Sequence, residues 1–191
     1  MVLSPPELLI AFRAACAPLI FVLACFGLPG PLLAAVLGAG FLSDVFDGVI
    51  ARRLGLATAG IRRADTLVDT FFYVSAAAAL KVAVPNAFDA AELALVVLVI
   101  VHVSRGTFEL AKYGRLSSYH MWSSKLLGVL LLVAMVQSFV TGQPSALLPL
   151  AVWFGVGNEI EGFAISTLLP TWRPDVPSIF HARHAAERRP A

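Results

Sequence analysis

Asp44-Val45-Phe46-Asp47-Gly48-Val49-Ile50-Ala51-Arg52 and, after a basic interval, Asp65-Thr66-Leu67-Val68-Asp69 decide how this chain is read. Asp44 and Asp47 stand at i,i+3 and Asp65 and Asp69 at i,i+4, so on helices each pair shares a face. The first pair falls near the end of an apolar segment over 32–50, and the second opens another over 66–84. Each segment is close to the roughly 20 residues that a hydrocarbon core requires. Arg52, Arg53, Arg62 and Arg63 lie between them. Four carboxylates are thereby set at a similar depth on one side of a membrane.

Working outward, further apolar segments run over 12–28, 90–108, 124–141 and 146–168, making six. Breaks at Gly27-Leu28-Pro29-Gly30-Pro31, Val84-Pro85-Asn86 and Thr141-Gly142-Gln143-Pro144 punctuate them, as glycine and proline do. Ser4-Pro5-Pro6-Glu7 has the form of a capping box with proline in the first turn. A short interfacial helix is expected to start there and lead into the first span. The predicted fold is all-α: a polytopic bundle of six transmembrane helices over residues 1–170, followed by a cytoplasmic tail over 171–191, partly disordered at its end.

Composition agrees. Of 191 residues, 59% are hydrophobic and 14% charged, against about 25% charged in a soluble domain, and the mean hydropathy is +0.84. A net charge of +2 gives no reason to expect a nucleic-acid partner. The first apolar stretch carries Arg13 and lacks a clear small-residue cleavage pattern, so it reads as a span and not as a signal peptide. Thirteen of the fourteen Lys and Arg fall on one side of the six spans, Lys81 being the exception. The positive-inside rule then puts both termini in the cytoplasm. The compact size points to a bacterial plasma membrane. Cys16 and Cys25, nine residues apart on one helix, are too distant for a disulfide and read as core thiols.

Aspartate inside a membrane is costly, about 2.5–3.5 kcal/mol at mid-span, and four in one pocket repel each other. Divalent cations resolve both problems. An all-carboxylate set without Cys or paired His favours Mg²⁺ or Mn²⁺ over zinc, and four carboxylates match two ions clamping a phosphoryl transfer. Asp44, Asp47, Asp65 and Asp69 are the candidate metal ligands. Gly48 and Ala51 leave room for a ligand against the helix beside Asp47, and Arg52 offers a fork suited to phosphate. Asp47, Gly48, Ala51 and Arg52 form the candidate donor site.

The stretch resembles the signature of the CDP-alcohol phosphatidyltransferase family, D-x2-D-G-x2-A-R-x8-G-x3-D-x3-D. Asp44, Asp47, Gly48, Ala51, Arg52, Asp65 and Asp69 fall on its positions with the spacing intact. The second glycine is the departure: Ile61 stands there, preceded by Gly60. The resemblance implies an enzyme that transfers a phospho-alcohol group from a CDP-linked donor to an alcohol and releases CMP. It implies that the first three aspartates hold metal and donor pyrophosphate, that Asp69 is the catalytic base, and that the protein is a homodimer. A lipid donor, CDP-diacylglycerol, accounts for a site inside the membrane, with a small polar alcohol as acceptor. The rival within the family is a soluble CDP-alcohol such as CDP-choline acting on diacylglycerol.

Outside the motif, Arg62, Arg63, Arg105, His120 and Lys125 are candidate acceptor contacts. Each has a plainer reading. Arg62 and Arg63 set topology and meet headgroups, Arg105 pairs with Glu109 one turn away or with a glutamate of segment six, and Tyr119-His120-Met121-Trp122 with Lys125 is an interfacial anchor. Glu159 and Glu161 at i,i+2 do not share a face. His102 reads as a helix contact, and His181 with His184 lacks a third metal ligand. Gly38, Gly40 and Ala76 to Ala79 are expected to bring the two aspartate helices together. Two readings from other classes remain: a cation transporter, disfavoured because the aspartates cluster at one end of the membrane, and a non-catalytic scaffold with a vestigial metal site.

Overall fold

The computed structural model describes residues 4–56, 59–117, 119 and 121–187, with backbone alone at 52, 59, 60, 62, 63 and 185–187. Its helices are α1 (Pro5–Cys25), α2 (Gly30–Arg53), α3 (Ala59–Ala83), α4 (Glu92–Tyr113, preceded by a 3-10 turn at Asp89–Ala91), α5 (Trp122–Thr141), α6 (Leu147–Leu168) and α7 (Ile179–Glu187). No strand occurs among the described residues. The predicted all-α polytopic architecture holds. Five helices are long and apolar enough to cross a membrane, α1 to α5. The sixth, α6, has the same length but carries Asn158, Glu159 and Glu161 in its middle.

The N-terminus differs from expectation. Ser4 donates its backbone N–H to Glu7 Oε2 at 2.7 Å, one half of the capping box, and its hydroxyl also reaches Glu7 Oε2 at 2.7 Å, with Pro5 and Pro6 in the first turn. The helix that starts there does not stop at an interface. It runs without a break to Cys25, so the expected interfacial helix and the first span are one element. Nothing between Glu7 and Phe12 breaks a helix, which is why the two merge. At the other ends, Gly114 and Gly142 take φ of 68° and 65° and donate to Leu110 and Ser138, closing the last turns of α4 and α5.

Two compact units divide the chain: Met1–Ala87 with Ala134–Ser145, and Phe88–Val133 with Ala146–Ala191. In the first, α1 packs along both α2 and α3, which meet each other at fewer points. Ala17 and Ile20 from α1, Leu33 and Leu37 from α2, and Phe72, Ala76 and Leu80 from α3 are buried. Gly40 lies against the Phe72 ring, and a Cβ there would overlap it. Gly38 has nothing near it, so of the two expected contact glycines only Gly40 joins α2 to α3. Gly30 sits against the Phe139 carbonyl at the end of α5. The aspartate helices are therefore brought together chiefly by α1 between them, with Gly40 and Phe72 closing the contact directly.

In the second unit α6 packs on α4, with Ala91, Ala94 and Val152 at the centre of one apolar cluster. Lys112 donates to the Ser166 and Thr167 carbonyls, and the Tyr113 hydroxyl to those of Ser166 and Leu169, so the end of α4 satisfies the open carbonyls at the end of α6. The tail is not a loose extension. Val176 and Ala182 are buried with Tyr119, Met121, Ile165 and Leu169, and Ile179 packs on them. The Trp172 indole donates to the Leu116 carbonyl and the Trp122 N–H to Pro177. Residues 188–191, where disorder was expected, lie outside the described residues.

Candidate active site

The four aspartates come together as their spacing demands. Asp44 and Asp47 face inward from α2, and Asp65 and Asp69 from the first turns of α3. Carboxylate oxygens of Asp44, Asp47 and Asp65 all lie within 4.8 Å of one another. Asp47 is the deepest, its side chain 4% exposed, while Asp44, Asp65 and Asp69 are about one-quarter to one-third exposed. The cluster thus has a buried end at Asp47 and a part-exposed side formed by the other three.

At the centre is a residue that the spacing of the motif does not reveal. Arg13, on α1, is wholly buried. Its Nη1 donates to Asp44 at 2.8 Å and lies against Asp69. Its Nη2 donates to Asp65 at 3.1 Å and to Asp47. The Asp69 contact is an ion pair by proximity, without the alignment of a hydrogen bond, and Arg13 Nε has no partner. In the sequence Arg13 speaks against a signal peptide and counts toward topology. A signal for its role is nonetheless there: a buried arginine within an apolar helix is rare and needs a carboxylate partner.

The donor-site candidates sit beside the cluster. Gly48 is half-buried on α2 and Ala51 buried, so the helix surface there is low, as expected for a ligand lying along it. The side chains of Arg52, Arg62 and Arg63 lie outside the described residues, though their backbones belong to α2 and α3. Ile61 faces a groove of ≈ 280 Å³ between α1 and α3, with Ile10, Ala14, Ala64, Val68 and Glu7 around it.

The remaining acceptor candidates belong to the second unit. Arg105 is held on α4, donating from Nε to Glu109 at 2.9 Å and from Nη1 to Glu159 at 3.0 Å, with its guanidinium 5.4 Å from the centre of the Tyr119 ring. Gly162 leaves the space it fills. Glu109 is buried and also accepts from the Ser117 N–H and the Ser166 hydroxyl. This is the plainer of the two readings of Arg105. Glu161 turns the other way, accepting from Ser123 and from the Ile179 N–H at the start of α7, so the two glutamates part as i,i+2 requires. His102 is exposed beside Glu159, Lys125 is exposed on α5, and His120 lies outside the described residues. Cys16 is buried and Cys25 exposed; both are free thiols, so only the first is a core thiol.

The donor set fits a hard divalent cation. Three carboxylates converge closely, and they are oxygen ligands alone.

A part-buried acidic cluster carried on two apolar helices is a place that could hold a metal ion in an integral membrane protein. The CDP-alcohol phosphatidyltransferase family matches residues 3–157, and the chain belongs to it. It is a membrane transferase of substituted phosphate groups, moving a phospho-alcohol from a CDP-alcohol in phospholipid biosynthesis and relying on a divalent metal. Searches of curated proteins and of solved structures each gave no match.

Proposed function

We propose that the donor is CDP-diacylglycerol and the acceptor the hydroxyl of a small polar alcohol, the products being a phospholipid or its phosphate ester and CMP. The observation that supports this reading most is the burial of the aspartate cluster among three apolar helices, where a lipid donor lies at the right depth and a water-soluble acceptor reaches the part-exposed side. Asp44, Asp47 and Asp65 would hold Mg²⁺ or Mn²⁺, which when bound neutralises the donor pyrophosphate and the charge developing on the leaving CMP. Gly48 and Ala51 give the donor its approach to α2, and Arg52 pairs with its phosphate. Asp69, outside the close trio, accepts the acceptor's hydroxyl proton as that oxygen attacks phosphorus.

Arg62, Arg63, His120 and Lys125 remain proposed acceptor contacts. Arg105 is committed to Glu109 and Glu159 and has no part in this scheme. The second metal ion, the homodimer, the cytoplasmic termini, the bacterial plasma membrane and a domain boundary near residue 170 belong to the same proposal. The test is CMP release by purified protein with CDP-diacylglycerol, Mg²⁺ or Mn²⁺ and a panel of small alcohols. Release that needs one acceptor names the substrate. Release only with CDP-choline and diacylglycerol would transfer the reading to the soluble-donor branch, and silence with every pair would leave the scaffold.

A further inference from the structure

The family reading uses the carboxylates and leaves Arg13 without a role. Arg13 comes from α1, outside the signature stretch, and is buried with four acidic partners. All of its charge compensation comes from those carboxylates, since Nε has no partner. The Nη atoms of Arg13 touch the carboxylates of Asp44, Asp47 and Asp65, the same trio whose oxygens converge within 4.8 Å. A magnesium-sized ion takes oxygen ligands at about 2.0–2.1 Å, so an ion held by this trio and the guanidinium that bridges it compete for the same three carboxylates.

From this we infer that Arg13 is a built-in counter-cation of the carboxylate cluster, displaced from Asp44, Asp47 and Asp65 when a divalent cation binds. The inference rests on the metal-binding reading above. Without a counter-charge, four buried or half-buried carboxylates held on two helices push α2 and α3 apart; with Arg13 between them the cluster assembles before any metal arrives. A buried arginine cannot simply be released, because an unpaired charge in an apolar bundle is costly. Asp69 supplies the remaining partner. It lies outside the close trio yet touches Nη1, so Arg13 keeps one carboxylate after giving up three. Metal affinity is then set by a competition inside the protein, and Arg13 acts as a positioning residue that leaves the ligands prearranged.

This role differs from ordinary packing in the sign of one measurement. A residue that only supports the fold weakens metal binding when it is lost. A competing counter-cation strengthens it. The experiment uses the full-length protein in detergent, with Mn²⁺ alone as probe, followed by the loss of the free Mn²⁺ electron-spin signal and by thermal unfolding with and without chelator. Arg13→Gln should unfold earlier in chelator and bind Mn²⁺ at least about tenfold more tightly, since one close opposite charge commonly shifts a proton equilibrium by one to three decades. It should also gain more thermal protection from Mn²⁺ than the wild type does. Arg13→Lys keeps the charge but cannot fork across four carboxylates, and should recover much of the stability in chelator with an intermediate affinity.

Weaker or unchanged Mn²⁺ binding in Arg13→Gln would overturn the exchange while leaving the metal site standing. If that variant cannot be isolated, Arg13→Lys decides, and Mn²⁺ binding no tighter than wild type would overturn the inference. Absence of Mn²⁺ binding in the wild type and both variants would overturn the exchange and the metal reading together.

Discussion

Arg13 Nη1 donates to Asp44 Oδ1 at 2.8 Å, joining the middle of α1 to a carboxylate 31 residues further along the chain. The wholly buried guanidinium and the one-third-exposed carboxylate mark the two sides of the site: a floor set inside the helices and a wall facing outward. Asp47, one helical turn beyond Asp44, lies on the floor and touches the same arginine. Two aspartates three residues apart are therefore not equivalent, although the motif writes them alike.

Replacing each by asparagine should separate them. Asp47→Asn removes the most buried acidic partner of Arg13 and leaves it Asp44, Asp65 and Asp69; a buried donor left short of its acceptor costs about 1–3 kcal/mol. Asp44→Asn, at the more exposed position, should cost well under half of that. Thermal unfolding in chelator reads the difference. Equal losses would mean that depth does not distinguish the pair.

Asp69→Asn addresses chemistry instead of assembly. General-base catalysis contributes about 10²–10⁴-fold, so CMP release should fall by that order. Mn²⁺ binding should weaken but persist, because Asp44, Asp47 and Asp65 are untouched while Arg13 loses the carboxylate it would keep when they take the ion. A variant that loses Mn²⁺ in step with activity would reassign Asp69 from base to ligand.

How much of this was legible beforehand depends on the range of the interaction. Spans and their breaks are local, written in apolar runs punctuated by glycine and proline, and the spacing of Asp44, Asp47, Asp65 and Asp69 fixes their faces once helices are assumed. The Glu109 partner of Arg105 is also local, at i,i+4. What stayed hidden is contact across distant segments. Arg13 meets aspartates 31 to 56 positions away, and nothing in its neighbours announces them. The merged first helix was missed because a capping box marks where a helix starts and says nothing about where it stops.

Glu109 in the second unit carries a different test. It is buried and accepts from Arg105, from the Ser117 backbone and from the Ser166 hydroxyl. Glu109→Ala strands those donors and leaves Arg105 with Glu159 alone, a change worth about 3–5 kcal/mol when a buried pair is broken. Glu109→Gln keeps an acceptor and should cost clearly less. If the alanine variant melts with the wild type, the network is not holding α4 to α6.

Gly40→Ala should be destabilising by about 1–3 kcal/mol, the usual range for overpacking a filled core. The added Cβ would overlap the Phe72 ring. Phe72→Leu in the same chain makes room, so the double variant should be more stable than the sum of the two single losses. Strict additivity in a double-mutant cycle would show that the ring is not what excludes the methyl group.

The tail offers the last test, because its docking was not expected. Val176 is buried among Tyr119, Met121, Ile165 and Leu169, and α7 begins where Ile179 donates its N–H to Glu161. If residues beyond 170 were a solvated extension, a charge at position 176 would cost nothing. Packed as they are, Val176→Asp buries a carboxylate with no basic partner in its apolar cluster, and the tail should detach sooner than accept it. Detachment uncovers Tyr119 and Met121, which belong to the segment between α4 and α5. Limited proteolysis should then cut the variant between α6 and α7 and in that segment at protease levels that spare the wild type. Thr171→Ser, five residues away but exposed, should leave the pattern unchanged. Cleavage of wild type and Val176→Asp at equal rates would mean that the tail stands free and that the apolar cluster closes without it.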